Sequence, residues 1–252
     1  KKELPQFFKA TGVLIVAGLI GVSINLSNLY HTYEYSKETM RGKSELKYEG
    51  AAAKQTSSGL NRDYITQWSY GIGETFSLLV PNVKGGASVP LSRSEKAMEK
   101  ANPMYSSLYS QLTQYFGDQP MTSGPVYVGA FVLMLFILGC FIVKGPMKWA
   151  LLGATIFSIL LSWGKNFMGL TDFFIDYIPM YNKFRAVSSI LVIAEFTIPL
   201  LAILTLKEIL TKPELLKEKL KYIYISFGLT GGLALLFAIA PRLFFPTYIP
   251  SN

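Results

Sequence analysis

Long apolar segments, separated by charged links, recur along this chain of 252 residues. Half of the residues are hydrophobic and 16% are charged, whereas about 25% are charged in an average soluble domain. A helix needs about 20 apolar residues to cross a bilayer core of about 30 Å. The sequence therefore predicts an all-α polytopic membrane protein of about five transmembrane helices and excludes a soluble globular enzyme. The five segments are Phe7 to Tyr30, Val126 to Val143, Met147 to Trp163, Ala186 to Leu206 and Tyr222 to Ala240.

Basic residues in the links orient these segments. Lysines stand before the first segment, in the turn after the second and in the link after the fourth. Because cytoplasmic links carry an excess of Lys and Arg, all three positions are predicted on the cytoplasmic side. We expect transmembrane helix 1 over 1–30, an extracytoplasmic loop domain over 31–125, and helices 2–5 over 126–252 with an outer interfacial segment at 164–185.

The net charge of +8 does not indicate a nucleic-acid partner, because the basic residues stand beside apolar segments. The partner expected from composition is the lipid bilayer. Cys140 is the sole cysteine and His31 the sole histidine, so neither a disulfide framework nor a Cys/His metal site is expected. No removable signal peptide follows Lys1, and we expect the chain to begin partway through a longer protein.

The loop domain is predicted to be mostly helical. A helix is expected to continue from the membrane beyond Glu34 and to be followed by a mobile link up to Ser58. A second helix is predicted from Ser94 to Tyr115, with Ser94 as its cap and an interruption at Asn102-Pro103.

The outer segment at 164–185 is both aromatic and charged. Asp172 and Asp176 are four residues apart and share one face of a helix, while neighbouring aromatic residues suit the headgroup layer. The segment is therefore predicted to contain an amphipathic interfacial helix. The alternative is that this helix only anchors the bundle.

Three cations flank the same segment, on the side where the positive-inside tendency disfavours them. A guanidinium matches phosphate oxygens with paired donors, and an ammonium adds a point charge, so a lipid phosphate or diphosphate is one ligand that explains them. The alternative is pairing with Asp172 and Asp176. The three cations are Lys165, Lys183 and Arg185.

Glu195 stands inside the fourth apolar segment, where an ionisable group indicates a functional site by default. Pro199 follows four residues later and removes a hydrogen-bond donor from the helix. The pair predicts a polar pocket at a kink. The alternative is a protonated or internally paired carboxyl that holds helices together.

Several strings also resemble one known family. From about Tyr64 to Leu210 the chain resembles the YfhO-like family of bacterial membrane proteins, in a form like that of Bacteroidetes. The strings that carry this resemblance are Pro81-Asn82 with Gly85-Gly86, GDQPMTSGPVY at 117–127, LSWGKNF at 161–167 and YNKFRA at 181–186.

Members of this family are similar to GT-C glycosyltransferases, which take a sugar from a polyprenyl-phosphate carrier at the outer face of the membrane. The resemblance implies a multi-pass protein of the bacterial inner (cytoplasmic) membrane that glycosylates the cell envelope. In that superfamily the catalytic acid usually lies in the first outer loop, which is expected upstream of this chain, so activity of the chain alone stays open.

The lipid phosphate is then expected at Lys165, Lys183 and Arg185, and a base must activate the acceptor hydroxyl. Asp172 and Asp176 are the nearest acidic candidates by sequence, and we rank Asp63, Glu74 and Asp118 below them. Two other functions stay open. One is a transporter or lipid flippase built around Glu195, and the other is a non-catalytic envelope assembly subunit whose loop binds a protein.

Overall fold

A computed structural model describes residues 4–39, 41–42 and 59–244 of the chain. The regular structure in these ranges is helical, and extended residues there pair in two isolated bridges. The fold is therefore all-α, as predicted. Three of the described helices are long and apolar enough to cross a membrane, or up to four if one bent pair counts as a span. The chain divides into two compact units, Lys1–Arg62 and Asp63–Asn252.

The first unit contains α1 (Leu4–Ile24) and α2 (Leu26–Lys37), which are separated by a turn residue at Asn25. α1 is mostly apolar after Lys9 and has no buried residue. α2 is more polar and continues the helix to Lys37, whose ammonium lies 2.7 Å from the Glu34 carboxylate. The predicted continuation beyond Glu34 is confirmed up to this point. The link predicted up to Ser58 falls largely outside the described residues.

The second unit begins with short helices and ends with the long apolar ones. Two of its candidate spans are continuous, at Val187–Thr211 and Leu220–Ile239, and the bent pair turns by 108° between Ser162 and Gly164. A π-helical turn at Gly228–Gly232 joins α11 to α12. The α-helices that involve this unit are α3 (Arg62–Ile65), α4 (Glu95–Met98), α5 (Ser106–Gln111), α6 (Ala130–Ile142), α7 (Pro146–Ser162), α8 (Met168–Tyr177), α9 (Leu191–Thr211), α10 (Leu215–Glu218), α11 (Leu220–Phe227), α12 (Leu233–Ile239) and α13 (Pro241–Phe244).

The predicted second span, Val126 to Val143, is shorter in the structure. Its helix α6 has 13 residues and begins only after Gly129, whose φ of +99° lies in the left-handed region that favours glycine and is incompatible with the helix. The carbonyl of Val126 accepts a hydrogen bond from Ser77 Oγ at 3.0 Å, which holds this stretch away from the helix. At 1.5 Å per residue α6 is about 20 Å long, short of a full bilayer core.

The core of the second unit forms where α9 packs against α6 and α7. A Cβ built on Gly139 of α6 would lie 2.2 Å from Thr205 Oγ1 of α9, so the close contact of these helices depends on glycine. About two turns earlier on α9, the Thr197 hydroxyl is hydrogen-bonded to the Thr155 hydroxyl of α7 at 2.7 Å. We call this packed set of α6, α7 and α9 the helix core.

The predicted helix from Ser94 to Tyr115 is broken at Asn102-Pro103, as expected, but its predicted end is wrong. Asn102 accepts a hydrogen bond from the backbone N–H of Met104 at 3.0 Å and starts a new helical turn there. The helical structure ends at Gln111, after which Thr113 pairs with Pro90 in an antiparallel bridge. Ser94 occupies the cap position without a capping side-chain bond.

Candidate functional site

Four segments that are distant in sequence meet where α7 ends and α9 begins. The backbone N–H of Tyr70 donates to the Ser162 carbonyl at 2.8 Å, and that of Ser188 donates to the Trp68 carbonyl at 3.1 Å. These bonds tie the loop after α3 to the ends of both long helices. We call the four segments the junction, which comprises residues 68–75, 115–119, 162–166 and 185–189.

Glu74 is the buried acidic residue of the junction, with 4% of its surface exposed. Its Oε1 accepts a hydrogen bond from the Tyr115 hydroxyl at 2.5 Å. Its Oε2 accepts from the backbone N–H of Gly71 at 2.6 Å and from that of Asp118 at 3.4 Å. Because a buried carboxylate is costly unless several donors satisfy it, this arrangement fixes the 115–119 segment against the 68–75 segment.

Two glycines make room for this carboxylate. A Cβ on Gly117 would lie 2.2 Å from Glu74 Oε1, closer than a Cβ approaches any heavy atom. A Cβ on Gly71 would lie 2.9 Å from Glu74 Oε2 and 2.8 Å from Asp118 Oδ2. Both carboxylates therefore reach the same small space beside Gly71, and neither position tolerates a larger residue without displacement.

Asp118 is the exposed acidic residue of the junction. Its Oδ2 accepts from Asn166 Nδ2 at 3.1 Å, and the same Nδ2 donates to the Tyr70 carbonyl at 3.0 Å. The ammonium of Lys165 donates to the backbone carbonyl of Asp118 at 3.0 Å. The Asp118 carboxylate and the Lys165 ammonium are thus both positioned in the junction by hydrogen bonds, and both residues are exposed to solvent.

The two tyrosines of the junction are protonated at neutral pH, and the Tyr115 hydroxyl donates to Glu74. Burial raises the pKa of Tyr70 to about 12, and the charges of Glu74 and Glu195 add to this shift. Burial, followed by the hydrogen bond to Glu74, also raises the pKa of Tyr115. Both phenols therefore stay protonated far above neutral pH.

Arg185 is fixed by aromatic residues. One of its guanidinium nitrogens donates to the Tyr64 hydroxyl at 2.7 Å, and its Cζ lies 5.2 Å from the Tyr64 ring centre and 4.9 Å from that of Trp68. The Arg185 side chain is nevertheless exposed. A guanidinium stacked in this way keeps its orientation while donor groups still face solvent.

The other two predicted phosphate ligands have different surroundings. Lys183 is half-buried, whereas Lys165 is exposed and bonded to Asp118. The backbone N–H of Lys165 also donates to Ser69 Oγ at 2.8 Å. Lys165 thus belongs to the carboxylate side of the junction, and its role as a phosphate ligand stays a prediction.

The predicted helix of the outer segment is present as α8. Thr171 and Ile175 form its buried face, while Phe173 and Tyr177 are exposed with ring centres 5.3 Å apart. On the same helix Asp172 is half-buried and Asp176 is exposed; their catalytic role stays a prediction.

Glu195 lies on the wall of an open cleft of about 220 Å³ beside the junction. Its side chain is exposed, and within the described part of the chain it makes no hydrogen bond or ion pair. Gln119 also lines the cleft, and its Oε1 accepts from Ser188 Oγ at 3.2 Å. Pro199 is not among the residues that line this cleft, so the pocket at a Pro199 kink stays a prediction.

Sequence reasoning ranked Glu74 and Asp118 below the acids of α8. The structure places both in the junction, whereas the third residue of that lower group, Asp63, is exposed on α3. The local sequence signal for the junction was a pair of glycines within it, Gly71 and Gly117. Glycine permits the close backbone approach that the Glu74 carboxylate needs.

No group of three or more His, Cys, Asp and Glu side chains suited to a metal ion occurs among the described residues. Comparisons of the chain with protein-family models, with curated proteins and with solved structures found no match.

Proposed function

We propose that this chain is part of a membrane glycosyltransferase-like protein that uses a polyprenyl-phosphate-linked sugar at the outer face for cell-envelope glycosylation. The single observation that supports this most is the exposed Arg185 guanidinium of the junction, which is stacked on Tyr64 and Trp68. A fixed guanidinium binds phosphate oxygens with paired donors at little cost in side-chain entropy.

The positive charge of Arg185 also suits the proposed sugar transfer. When the glycosidic bond to the carrier breaks, negative charge develops on the departing phosphate, and a preoriented cation stabilises it. Arg185 supplies that charge, and Lys183, two residues earlier, adds a second cation. The two side chains are thus proposed to hold the lipid phosphate and to ease its departure.

For the base that takes the acceptor proton, we propose Asp118 as the first residue to test. Its carboxylate is exposed, and Asn166 fixes its orientation at 3.1 Å. Asp172 and Asp176 on α8 stay in the proposal as alternatives, since both are on a helix that follows the junction directly. A general base must come within hydrogen-bond reach of the hydroxyl that it deprotonates.

The membrane part is proposed to have five spans in the bacterial inner membrane. α1, α9 and the helix from α11 to α12 are long enough by themselves. α7 would form a fourth span, with α8 as the outer interfacial helix, and α6 with the non-helical residues before it would form a fifth. Non-helical backbone at membrane depth is compatible with a bilayer where protein satisfies it, as Ser77 does by donating to the Val126 carbonyl.

The test is polyprenyl-phosphate binding by purified protein in detergent, measured by native mass spectrometry. Comparison of the parent with Lys183→Ala plus Arg185→Ala is expected to show a loss of at least about tenfold in affinity, equivalent to about 1.4 kcal/mol. Arg93→Ala, which removes an exposed arginine elsewhere in the second unit, is the control and should bind like the parent. Equal binding by the double variant and the parent would refute the phosphate site.

A second candidate function, a transporter or lipid flippase, is favoured by one observation. The Glu195 carboxylate lies on an apolar helix and opens into a cleft, which is typical of a substrate or ion path through a membrane. The distinguishing experiment reconstitutes the protein in vesicles and follows the movement of a fluorescent lipid across the bilayer. Transport that Glu195→Gln abolishes would support this function, and an absence of transport in the parent would exclude it.

A further inference from the structure

The Glu195 cleft is lined in part by junction residues and has features of a binding site that the proposed phosphate chemistry does not use. The hydroxyls of Thr122, Ser188 and Ser189 and the amide of Gln119 line it, and Glu195 is the sole charged residue in that lining. The cleft therefore presents one negative charge among neutral polar groups. A ligand that complements it carries one positive charge and several hydrogen-bond donors.

A positively charged ligand would also offset the cost of placing the Glu195 carboxylate on an apolar helix. A carboxylate on an apolar membrane helix is energetically costly unless it meets water or a cation. Within the described residues no cationic side chain meets it. A cationic ligand in the cleft would supply the counter-charge.

The volume of the cleft indicates the size of the ligand. Its volume of about 220 Å³ is well above the roughly 10–15 Å³ that a single water molecule needs on the same measure. That is more space than a bare metal ion occupies and suits a small organic headgroup. A primary ammonium offers three N–H donors, which Glu195 and the neighbouring hydroxyls can accept.

An apolar stripe runs along α9 from the edge of the cleft. Val192, which lines the cleft, is 62% exposed, and Phe196 and Ile203 on the same helix face are 67% and 62% exposed. Residues four and seven apart along a helix form one continuous stripe. A hydrocarbon chain attached to a headgroup in the cleft would lie on this stripe.

We propose that the cleft binds the primary ammonium headgroup of an aminolipid, with an acyl chain along Val192, Phe196 and Ile203. Glu195 forms the ion pair with the ammonium, and the hydroxyl and amide groups of the cleft accept or donate the remaining hydrogen bonds. The lipid would occupy a site separate from the phosphate that Arg185 is proposed to bind.

The test compares two lipids with identical acyl chains, phosphatidylethanolamine and phosphatidylglycerol, by native mass spectrometry of the purified protein. The parent is expected to bind phosphatidylethanolamine about tenfold more tightly, a difference of about 1.4 kcal/mol, and Glu195→Gln should lose this preference. Glu208→Gln, the same substitution on the same helix but outside the cleft, should keep it. Because Glu195 is exposed and makes no bond within the described residues, its isosteric variant should unfold at the same temperature as the parent.

A second arm separates a lipid from a free amine. Ethanolamine without acyl chains should displace the lipid only at concentrations at least about a hundredfold higher, because it lacks the contact with the stripe. Equal potency of free ethanolamine would overturn the lipid part of the proposal. Retention of the headgroup preference by Glu195→Gln, or no preference in the parent, would overturn the site itself.

Discussion

The helix core and the junction are stabilised by different kinds of interaction. In the helix core, small residues let α6, α7 and α9 approach closely, and many buried hydroxyls bond to their own helix, as Thr205 Oγ1 does to the Leu201 carbonyl at 2.8 Å. In the junction, bonds join residues that are far apart in sequence, such as Glu74 and Tyr115, 41 positions apart. Close packing of small residues thus stabilises the helix core, whereas hydrogen bonds to a buried carboxylate stabilise the junction.

This difference has a consequence for function. Helices that satisfy their own backbone can present an apolar surface to lipid at no cost in hydrogen bonds. The junction, where polar groups from four segments meet, can instead hold charged side chains in fixed positions next to that surface. A lipid substrate with a charged headgroup needs both properties at once.

The largest expected effect comes from Glu74→Ala, which removes the acceptor of the Tyr115 hydroxyl and of two backbone N–H groups. Unsatisfied buried donors should lower the free energy of unfolding by about 3 kcal/mol. If the two regions are independent, proteolysis within residues 71–125 should accelerate while α6, α7 and α9 stay protected. Glu95→Ala, at an exposed glutamate of α4, is the control. Equal protease resistance of the Glu74→Ala variant and the parent would show that the Glu74 carboxylate does not stabilise the junction.

The next effect in size concerns the helix core. Gly139→Ala places a Cβ against Thr205 Oγ1 and Leu201, and this overpacking should lower the free energy of unfolding by about 2 kcal/mol in a denaturant titration. Gly153→Ala on α7 meets no atom within 4 Å and should be neutral or stabilising. Combining Gly139→Ala with Thr205→Ala should recover part of the loss. A Gly139 variant as stable as the Gly153 variant would show that α6 and α9 are not in close contact.

The smallest effect is expected for Thr155→Val, which removes the hydrogen bond between α7 and α9. Bonds of this kind between membrane helices contribute about 0.6 kcal/mol on average. The measurement is the thermal unfolding of the variant. Thr211→Val is the matched control, because the Thr211 hydroxyl donates to the Lys207 carbonyl of its own helix. A loss above about 2 kcal/mol would mean that polar bonds stabilise the helix core as they do the junction.

The two regions also differ in what the sequence could predict. The apolar segments locate α9 and the helix from α11 to α12, because a membrane span is a local property of about 20 residues. The start of α6 was predicted too early, since the left-handed Gly129 and the contact of Val126 with Ser77 are not part of an apolar pattern.

The junction was harder to predict because its bonds connect distant positions. The Asn166 amide and the Asp118 carboxylate are 48 residues apart, so no periodicity relates them. Sequence spacing drew attention to Asp172 and Asp176, which are neighbours on one helix, and placed Glu74 and Asp118 lower. Arg185 was singled out by its unfavourable side of the membrane, but its two aromatic contacts required the fold.

The most direct test of the account is whether the Arg185 side chain recognises a lipid phosphate through its planar guanidinium. The measurement is the dissociation constant for a polyprenyl phosphate and for the matching polyprenol, in the parent protein and in Arg185→Lys. Lysine keeps the charge but loses the paired donors and the stacking on Tyr64 and Trp68. We predict that the parent prefers the phosphate at least about tenfold and that Arg185→Lys loses most of this preference. Equal affinity of the parent for both lipids, or an unchanged preference in Arg185→Lys, would contradict the account.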